Sequence, residues 1–153
     1  KISVNTAAVR NPQLINDLAL NFGSQWVVLA VDTKFVDGEW LVYLNGGRIP
    51  TEIRTKDWVK EAVDRGAGEI LLTSMNNDGT KDGFAIDITK AVSESVNVPV
   101  IASGGAGTME HFTEVFKEGK ADAALAASIF HYGEIGIAEL KAYLKKNGIE
   151  IRI

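Results

Sequence analysis

The 153-residue sequence contains no cysteine, which excludes disulfide bonds and thiolate metal sites and suits a reducing, cytoplasmic location. It also lacks a basic excess: the formal net charge is −4 at pH 7, which argues against a nucleic-acid partner. No apolar run approaches the roughly 20 residues of a membrane span, so we expect no membrane partner. We expect His111 and His131, on predicted helices, to be surface or packing residues rather than metal ligands. The sequence therefore predicts no metal and no cofactor.

The beginning of the sequence is unusual, because residues 1–5 already have the pattern of a strand and no initiator methionine precedes them. The length fits one domain, 1–153. We therefore expect a single domain that corresponds to the C-terminal part of a longer protein.

Small residues follow three predicted strands, each at its carboxyl end. Strand 70–74 leads to Asp78 and Gly79, strand 98–103 leads to glycine-rich residues 104–107, and strand 121–128 ends in Ala127 and Ser128. A buried strand that opens onto glycine leaves backbone N–H groups unpaired, and a phosphate can accept from them. The three strand ends together predict an anion site on one face of the molecule.

Apolar periodicity and capping residues predict alternating strands and helices. The strands are predicted at 2–8, 26–32, 69–74, 98–102 and 122–127, with a β-hairpin at 36–43 and an extended segment at 149–153. The helices are predicted between Asn11-Pro12 and Gly23, from Thr55 to Gly66, at 87–96, from Thr108 to Gly119, near Ser128 and at 137–147. The hairpin turns at Asp37-Gly38, a pair that favours two-residue hairpin loops.

This alternation indicates an α/β protein with parallel strands and outer helices, in about five βα units. Five units fit either a flavodoxin-like doubly wound sheet or five-eighths of a (β/α)₈ barrel. The first strand and residues 124–129 share a pattern, because both are apolar, end in a small polar pair and enter a helix. That internal repetition favours the partial barrel.

Two carboxylates are candidates for acid–base chemistry. Asp32 ends the apolar strand 26–32, and catalytic groups collect at this end of parallel sheets. Asp78 follows the next strand and gives a second acid on the same rim. The alternative is that Asp32 caps a helix or fixes a loop, and that Asp78 belongs to an ordinary Asp-Gly turn.

The anion site itself is expected at Ser103, Gly104 and Gly105, with Ala127 and Ser128 on the neighbouring strand. Loops after adjacent strands of a barrel often share one phosphate. Asn5 and Thr6 are candidates for a second anion site, although helix capping explains them better as single residues.

Six segments, quoted in order, resemble the cyclase subunit of imidazole glycerol phosphate synthase, an enzyme of histidine biosynthesis. They are residues 3–8 (SVNTAA), 31–32 (VD), 65–72 (RGAGEILL), 77–80 (NDGT), 101–107 (IASGGAG) and 124–131 (ALAASIFH). The likeness extends over essentially the whole chain, at matching spacing.

The resemblance implies a (β/α)₈ barrel of which this sequence begins at the fourth strand. It also implies a lyase-type ring-closing reaction. Such an enzyme takes ammonia from a partner glutaminase and acts on a ribulosyl aminoimidazole carboxamide nucleotide with two phosphates. Its products are imidazole glycerol phosphate and aminoimidazole carboxamide ribotide.

The resemblance also implies roles for single residues. Asp32 matches one of two catalytic aspartates, Asp78 and Gly79 match a substrate-binding turn, and Lys1 matches a lysine of the ammonia entrance. The two phosphate sites are matched by Gly104, Gly105, Ala127 and Ser128 for one and by Asn5 and Thr6 for part of the other.

The sequence departs from the family pattern in what it lacks, since the other catalytic aspartate and the remaining phosphate glycines belong to strands one and three. We therefore expect a chain that binds phosphate and cyclises its substrate weakly or not at all. Two rivals remain open: the sister phosphoribosyl isomerase of the pathway, and a non-catalytic half-barrel module. Open sheet edges would favour self-association of such a half-barrel.

Overall fold

The computed structural model describes residues 1–152 and shows an α/β fold. Its strands are β1 (Ile2–Val4), β2 (Val27–Val36), β3 (Glu39–Leu44), β4 (Ile49–Arg54), β5 (Glu69–Ser74), β6 (Val100–Ser103) and β7 (Ala123–Leu125). Its α-helices are α1 (Thr6–Arg10), α2 (Gln13–Phe22), α3 (Thr55–Asp64), α4 (Ile86–Ser93), α5 (Met109–Lys117), α6 (Ser128–His131) and α7 (Ile137–Lys146). Within residues 1–152, no helix has the length and apolar character that crossing a membrane requires.

Five parallel strands follow one another across the sheet in chain order, β1-β2-β5-β6-β7. Parallel crossovers are right-handed, so a sheet that grows in one direction carries its helices on one face. A doubly wound sheet reverses direction at a switch point and carries helices on both faces. The strand order therefore excludes the flavodoxin-like alternative and confirms the partial (β/α)₈ barrel.

The two faces of the sheet differ in burial because side chains alternate along each strand. On β5, Ile70 and Leu72 are buried against the helices, whereas Leu71 and Thr73 on the opposite face are only half-buried. On β6, Val100 and Ala102 continue the buried face, in register with Ile70 and Leu72. The helix-facing side thus forms the core, and the opposite side is the face that points into a barrel.

The predicted hairpin is confirmed and has a further strand. The β2–β3 turn at Asp37 and Gly38 has positive φ at both residues, 49° and 89°, as a type I′ turn requires. Beyond it, β4 pairs with β3 in antiparallel register. Strand β4 was not predicted because it contains Pro50 and none of its six residues is buried, so its apolar signal is weak.

Several predicted boundaries were wrong. The first strand ends at Val4 rather than residue 8, because the chain turns into α1 at Thr6. Thr55 does not cap α3: Arg54 is the N-cap, and the buried Thr55 hydroxyl instead hydrogen-bonds that of Thr33. The strands predicted at 98–102 and 122–127 are the shorter β6 and β7.

Residues 149–152 form no strand, although the sequence predicts an extended segment at 149–153. Ile149 and Ile151 pack against the core between α5 and α7. Residue 153 of that prediction lies outside the described residues.

Candidate functional site

A cleft of about 200 Å³ lies at the carboxyl ends of β5, β6 and β7. Its lining brings together seven residues that the sequence singled out: Asp78, Gly79, Ser103, Gly104, Gly105, Ala127 and Ser128. The lining is completed by Lys81, Ala106, Leu125 and Ala126. Three loops that are far apart in sequence therefore meet at one concave site, as the parallel topology predicts.

The glycines of the β6–α5 loop let the neighbouring β5–α4 loop approach at backbone distance. Gly104 has φ of +91°, and a Cβ there would lie 2.7 Å from the Ser74 carbonyl oxygen. A Cβ on Gly105 would collide with the carbonyl of Gly83. The N–H of Gly83 donates a hydrogen bond to the carbonyl oxygen of Gly105 at 2.8 Å. Glycine is required here for contact between two loops as well as for access by a ligand.

Not every N–H of the glycine-rich loop is available to a ligand. The Nδ1 atom of His111 accepts hydrogen bonds from the N–H groups of Gly107 and Thr108, at 3.1 and 3.3 Å. This contact completes the N-terminal cap of α5. Among the turn and loop bonds of residues 1–152, the N–H groups of Gly104 and Gly105 donate to no backbone carbonyl. Any anion in the cleft therefore meets the first half of the loop.

Asp32 lies outside this cleft, on the neighbouring strand β2. It pairs with Thr73 of β5 in the sheet register, so its side chain is on the half-buried face away from the helices. The Asn5 side-chain amide donates to Asp32 Oδ2 at 3.0 Å. The structure thus pairs Asp32 with Asn5 and places Asp78 in the cleft.

The two residues of the candidate second anion site, Asn5 and Thr6, make separate contacts. Asn5 contacts Asp32, and the Thr6 hydroxyl accepts the backbone N–H of Asn45 at 2.8 Å. Asn45 belongs to the β3–β4 turn, so this bond fixes the turn beside the carboxyl end of β1. Neither side chain caps α1.

Lys1 lies at the opposite, amino end of the sheet and forms an ion pair with Glu69, the first residue of β5. Glu69 was not singled out from the sequence. The signal was available, since an acid beginning an otherwise apolar buried strand has no packing role. From Glu69 to Thr73 the strand advances about 13 Å, which separates this ion pair from the row of Asp32.

Other features lie away from these groups. A larger, open cavity of about 630 Å³ lies between α5, α7 and residues 121–124 and 148–152, but its walls are mainly apolar side chains and hold no glycine-rich strand end. The pKa of Glu110 is lowered by hydrogen bonds from its own backbone N–H and from Thr108. Residues 1–152 contain no cluster of three side chains suited to hold a metal ion.

Sequential parallel strands with a glycine-lined cleft at their carboxyl ends define a barrel-type α/β protein whose site is built from strand-end loops. The model of one family, described as histidine biosynthesis protein, matches residues 1–136. The chain belongs to this family.

Curated relatives refine the similarity. The chain is 61% identical over all its residues to the imidazole glycerol phosphate synthase subunit HisF of Flavobacterium johnsoniae. It is 58% identical to the subunit of the same name from Parabacteroides distasonis over its full length, and 59% identical to that of Cytophaga hutchinsonii over 99% of its length. It spans 61% of the length of each of these relatives. The resemblance to the cyclase subunit is confirmed.

Proposed function

We propose that this chain supplies a phosphate site and one catalytic carboxylate to the cyclase reaction of histidine biosynthesis. The reaction joins ammonia to a bis-phosphorylated ribulosyl aminoimidazole carboxamide nucleotide and releases imidazole glycerol phosphate and aminoimidazole carboxamide ribotide. The observation that carries the proposal is the assembly of three glycine- and serine-bearing strand ends around one cleft.

The cleft suits one phosphate of the substrate. Gly104 and Gly105 offer backbone N–H groups, while Ser103 and Ser128 add hydroxyl groups. Such donors bind an anion without a metal ion when successive N–H groups face one point. Asn5 and Thr6 would contribute to the second phosphate, close to the β3–β4 turn.

Asp32 is the proposed general acid and base. Ring closure requires that protons leave the attacking nitrogen and reach departing oxygen atoms, and a fixed carboxylate can carry them. The bond from Asn5 holds one carboxylate oxygen at 3.0 Å and leaves the other for the substrate. Asp78 is proposed to bind substrate from the turn that it shares with Gly79.

Ammonia is proposed to enter at Lys1 and to come from a glutaminase subunit. The ion pair of Lys1 with Glu69 lies at the amino ends of the strands, opposite the cleft. Between that pair and Asp32, the face away from the helices carries Val28 and Ala30 on β2, which offer ammonia no competing charge. Ammonia would thus arrive from the opposite side to the phosphorylated substrate.

The 153-residue chain by itself is proposed to bind phosphate and to cyclise the substrate poorly. The resemblance assigns the second aspartate to a strand that this sequence does not contain. Ammonia-dependent turnover by the 153-residue polypeptide at the rate of a HisF subunit would contradict this part of the proposal.

The sister isomerase remains the rival within histidine biosynthesis, since it also requires two opposed carboxylates. High identity to three HisF subunits and the confirmed β2–β3 hairpin favour the cyclase. Supplying both substrates to the same preparation separates the two activities directly.

The decisive experiment replaces Asp32 by Asn in the chain supplemented with the part of the Flavobacterium johnsoniae subunit that it does not match. We expect ammonia-dependent kcat to fall at least about 100-fold, the scale of general acid–base catalysis. The control is Asp37→Asn, which makes the same chemical change in a turn that accepts Asn-Gly equally well. If Asp32→Asn turned over as fast as the control, Asp32 would not be catalytic.

A further inference from the structure

Lys81 is the only cation that lines the cleft among residues 1–152. The other charged residue of the lining, Asp78, is an acid. A phosphate monoester carries about −1.5 to −2 at neutral pH, so a cleft with an acid alone would repel it. Backbone N–H groups carry only partial positive charges, so they balance only part of the negative charge of a phosphate. Lys81 is the group of the lining that can balance the remaining charge.

The backbone of Lys81 is constrained by its own conformation and by the neighbouring loop. Its φ is +63°, an unusual value for a residue with a side chain. Its carbonyl lies so close to Gly107 that a Cβ on that glycine would collide with it. The residue is therefore fixed at the rim of the cleft by contact between the two loops that build it.

The Lys81 ammonium is engaged by another acid. Its Nζ lies 2.6 and 2.7 Å from the two carboxylate oxygens of Glu134, which follows α6 in the loop beyond β7. Both side chains are substantially exposed, at 44% and 40%. Exposed ion pairs of this kind contribute little to stability, so an incoming dianion can displace the carboxylate.

We propose that Lys81 is a phosphate ligand of this cleft and that Glu134 competes with phosphate for its ammonium group. Glu134 pairs with Lys81 in the structure, and a phosphate bound on the glycine loop would take the ammonium over. The exchange shifts charge and breaks no covalent bond. The proposal rests on the proposed phosphate site and adds to it the Lys81 ammonium as a ligand and the Glu134 carboxylate as its competitor.

Inorganic phosphate is the probe, titrated into the protein at constant ionic strength and followed by backbone amide shifts of Gly79, Gly104 and Gly105. We expect Lys81→Gln to weaken phosphate binding about tenfold, the effect of one lost charge-assisted hydrogen bond. Glu134→Gln should tighten binding severalfold, because it removes the competing carboxylate. In the Lys81→Gln background, Glu134→Gln should change nothing.

Two matched controls isolate the local effect. Lys120→Gln removes an exposed lysine that also has positive φ, 57°, but does not line the cleft. Glu39→Gln breaks an exposed pair with Arg54 in the antiparallel extension. Both variants should bind phosphate like the unmodified protein, and unchanged amide shifts elsewhere would show that each variant is folded.

The outcomes distinguish this inference from the function on which it rests. If the unmodified protein shows no phosphate-dependent shifts at these glycines, the proposed phosphate site fails. If those shifts appear but Lys81→Gln binds as tightly as Lys120→Gln, the site stands and the role of Lys81 is overturned. Weaker binding by Glu134→Gln would overturn the competition.

Discussion

At the residue scale, the most constrained position of the site is Gly105. It has φ of +101°, and a methyl group there would collide with the carbonyl of Gly83. Gly133 also has positive φ, 67°, but has open space around it. The two glycines therefore separate backbone strain from steric exclusion.

We expect Gly133→Ala to lower the free energy of unfolding by about 1 kcal/mol, the cost of a left-handed alanine. Gly105→Ala should cost roughly 3 kcal/mol, because overpacking is added to the same backbone strain. Urea unfolding of both variants measures the difference. Equal losses would mean that the loops separate without cost, and that Gly105 is not needed for their contact.

At the scale of elements, the antiparallel extension is joined to the barrel sheet by a buried pair of hydroxyl groups. Thr33 on β2 donates to the Leu41 carbonyl at 3.2 Å and hydrogen-bonds Thr55, the first residue of α3. Both threonines are fully buried. This contact ties β2, β3 and α3 together at the residue that follows Asp32 on β2.

Replacing Thr33 by Val should destabilise the protein by about 2 kcal/mol, since it removes the hydrogen bonds of the Thr33 hydroxyl with Thr55 and with the Leu41 carbonyl. The double variant with Thr55→Val should cost less than the sum of the single changes, because the orphaned hydroxyl is gone. Thr113→Val is the control. Its buried hydroxyl has no hydrogen-bond partner among residues 1–152, so its removal should be neutral or stabilising. Thermal unfolding of the four variants tests this, and strict additivity would argue against coupling.

The sequence predicted these elements unevenly. Strand β5 and the Asp37-Gly38 turn were found because apolar runs and turn residues are local signals. Strand β4 was missed because its stability comes from pairing with β3 rather than from its own pattern. The ion pair of Lys81 with Glu134 spans 53 positions and brings together two loops, so no local pattern contains it.

At the scale of the whole molecule, the sheet formed by residues 1–152 ends in the parallel strands β1 and β7. Among residues 1–152, β1 pairs only with β2 and β7 pairs only with β6. Unpaired strand edges favour association with other strands, and the half-buried face beside them adds apolar area.

We expect the 153-residue polypeptide to associate as its concentration rises, and light scattering should report masses above 16.5 kDa. Adding the unmatched part of the Flavobacterium johnsoniae subunit should suppress association if it covers those edges. A monomer at all concentrations would show that the edges are already protected within the chain.

The contact between the β5–α4 and β6–α5 loops has a consequence for how the cleft can change during evolution. The contact is made by main-chain atoms of Ser74, Gly83, Gly104 and Gly105, and it does not depend on the identity of the side chains that line the cleft. The charges of the cleft are carried by the side chains of Asp78 and Lys81, which take no part in this main-chain contact. Substitutions at these two positions can therefore change which anion the cleft accepts while the contact between the loops is kept.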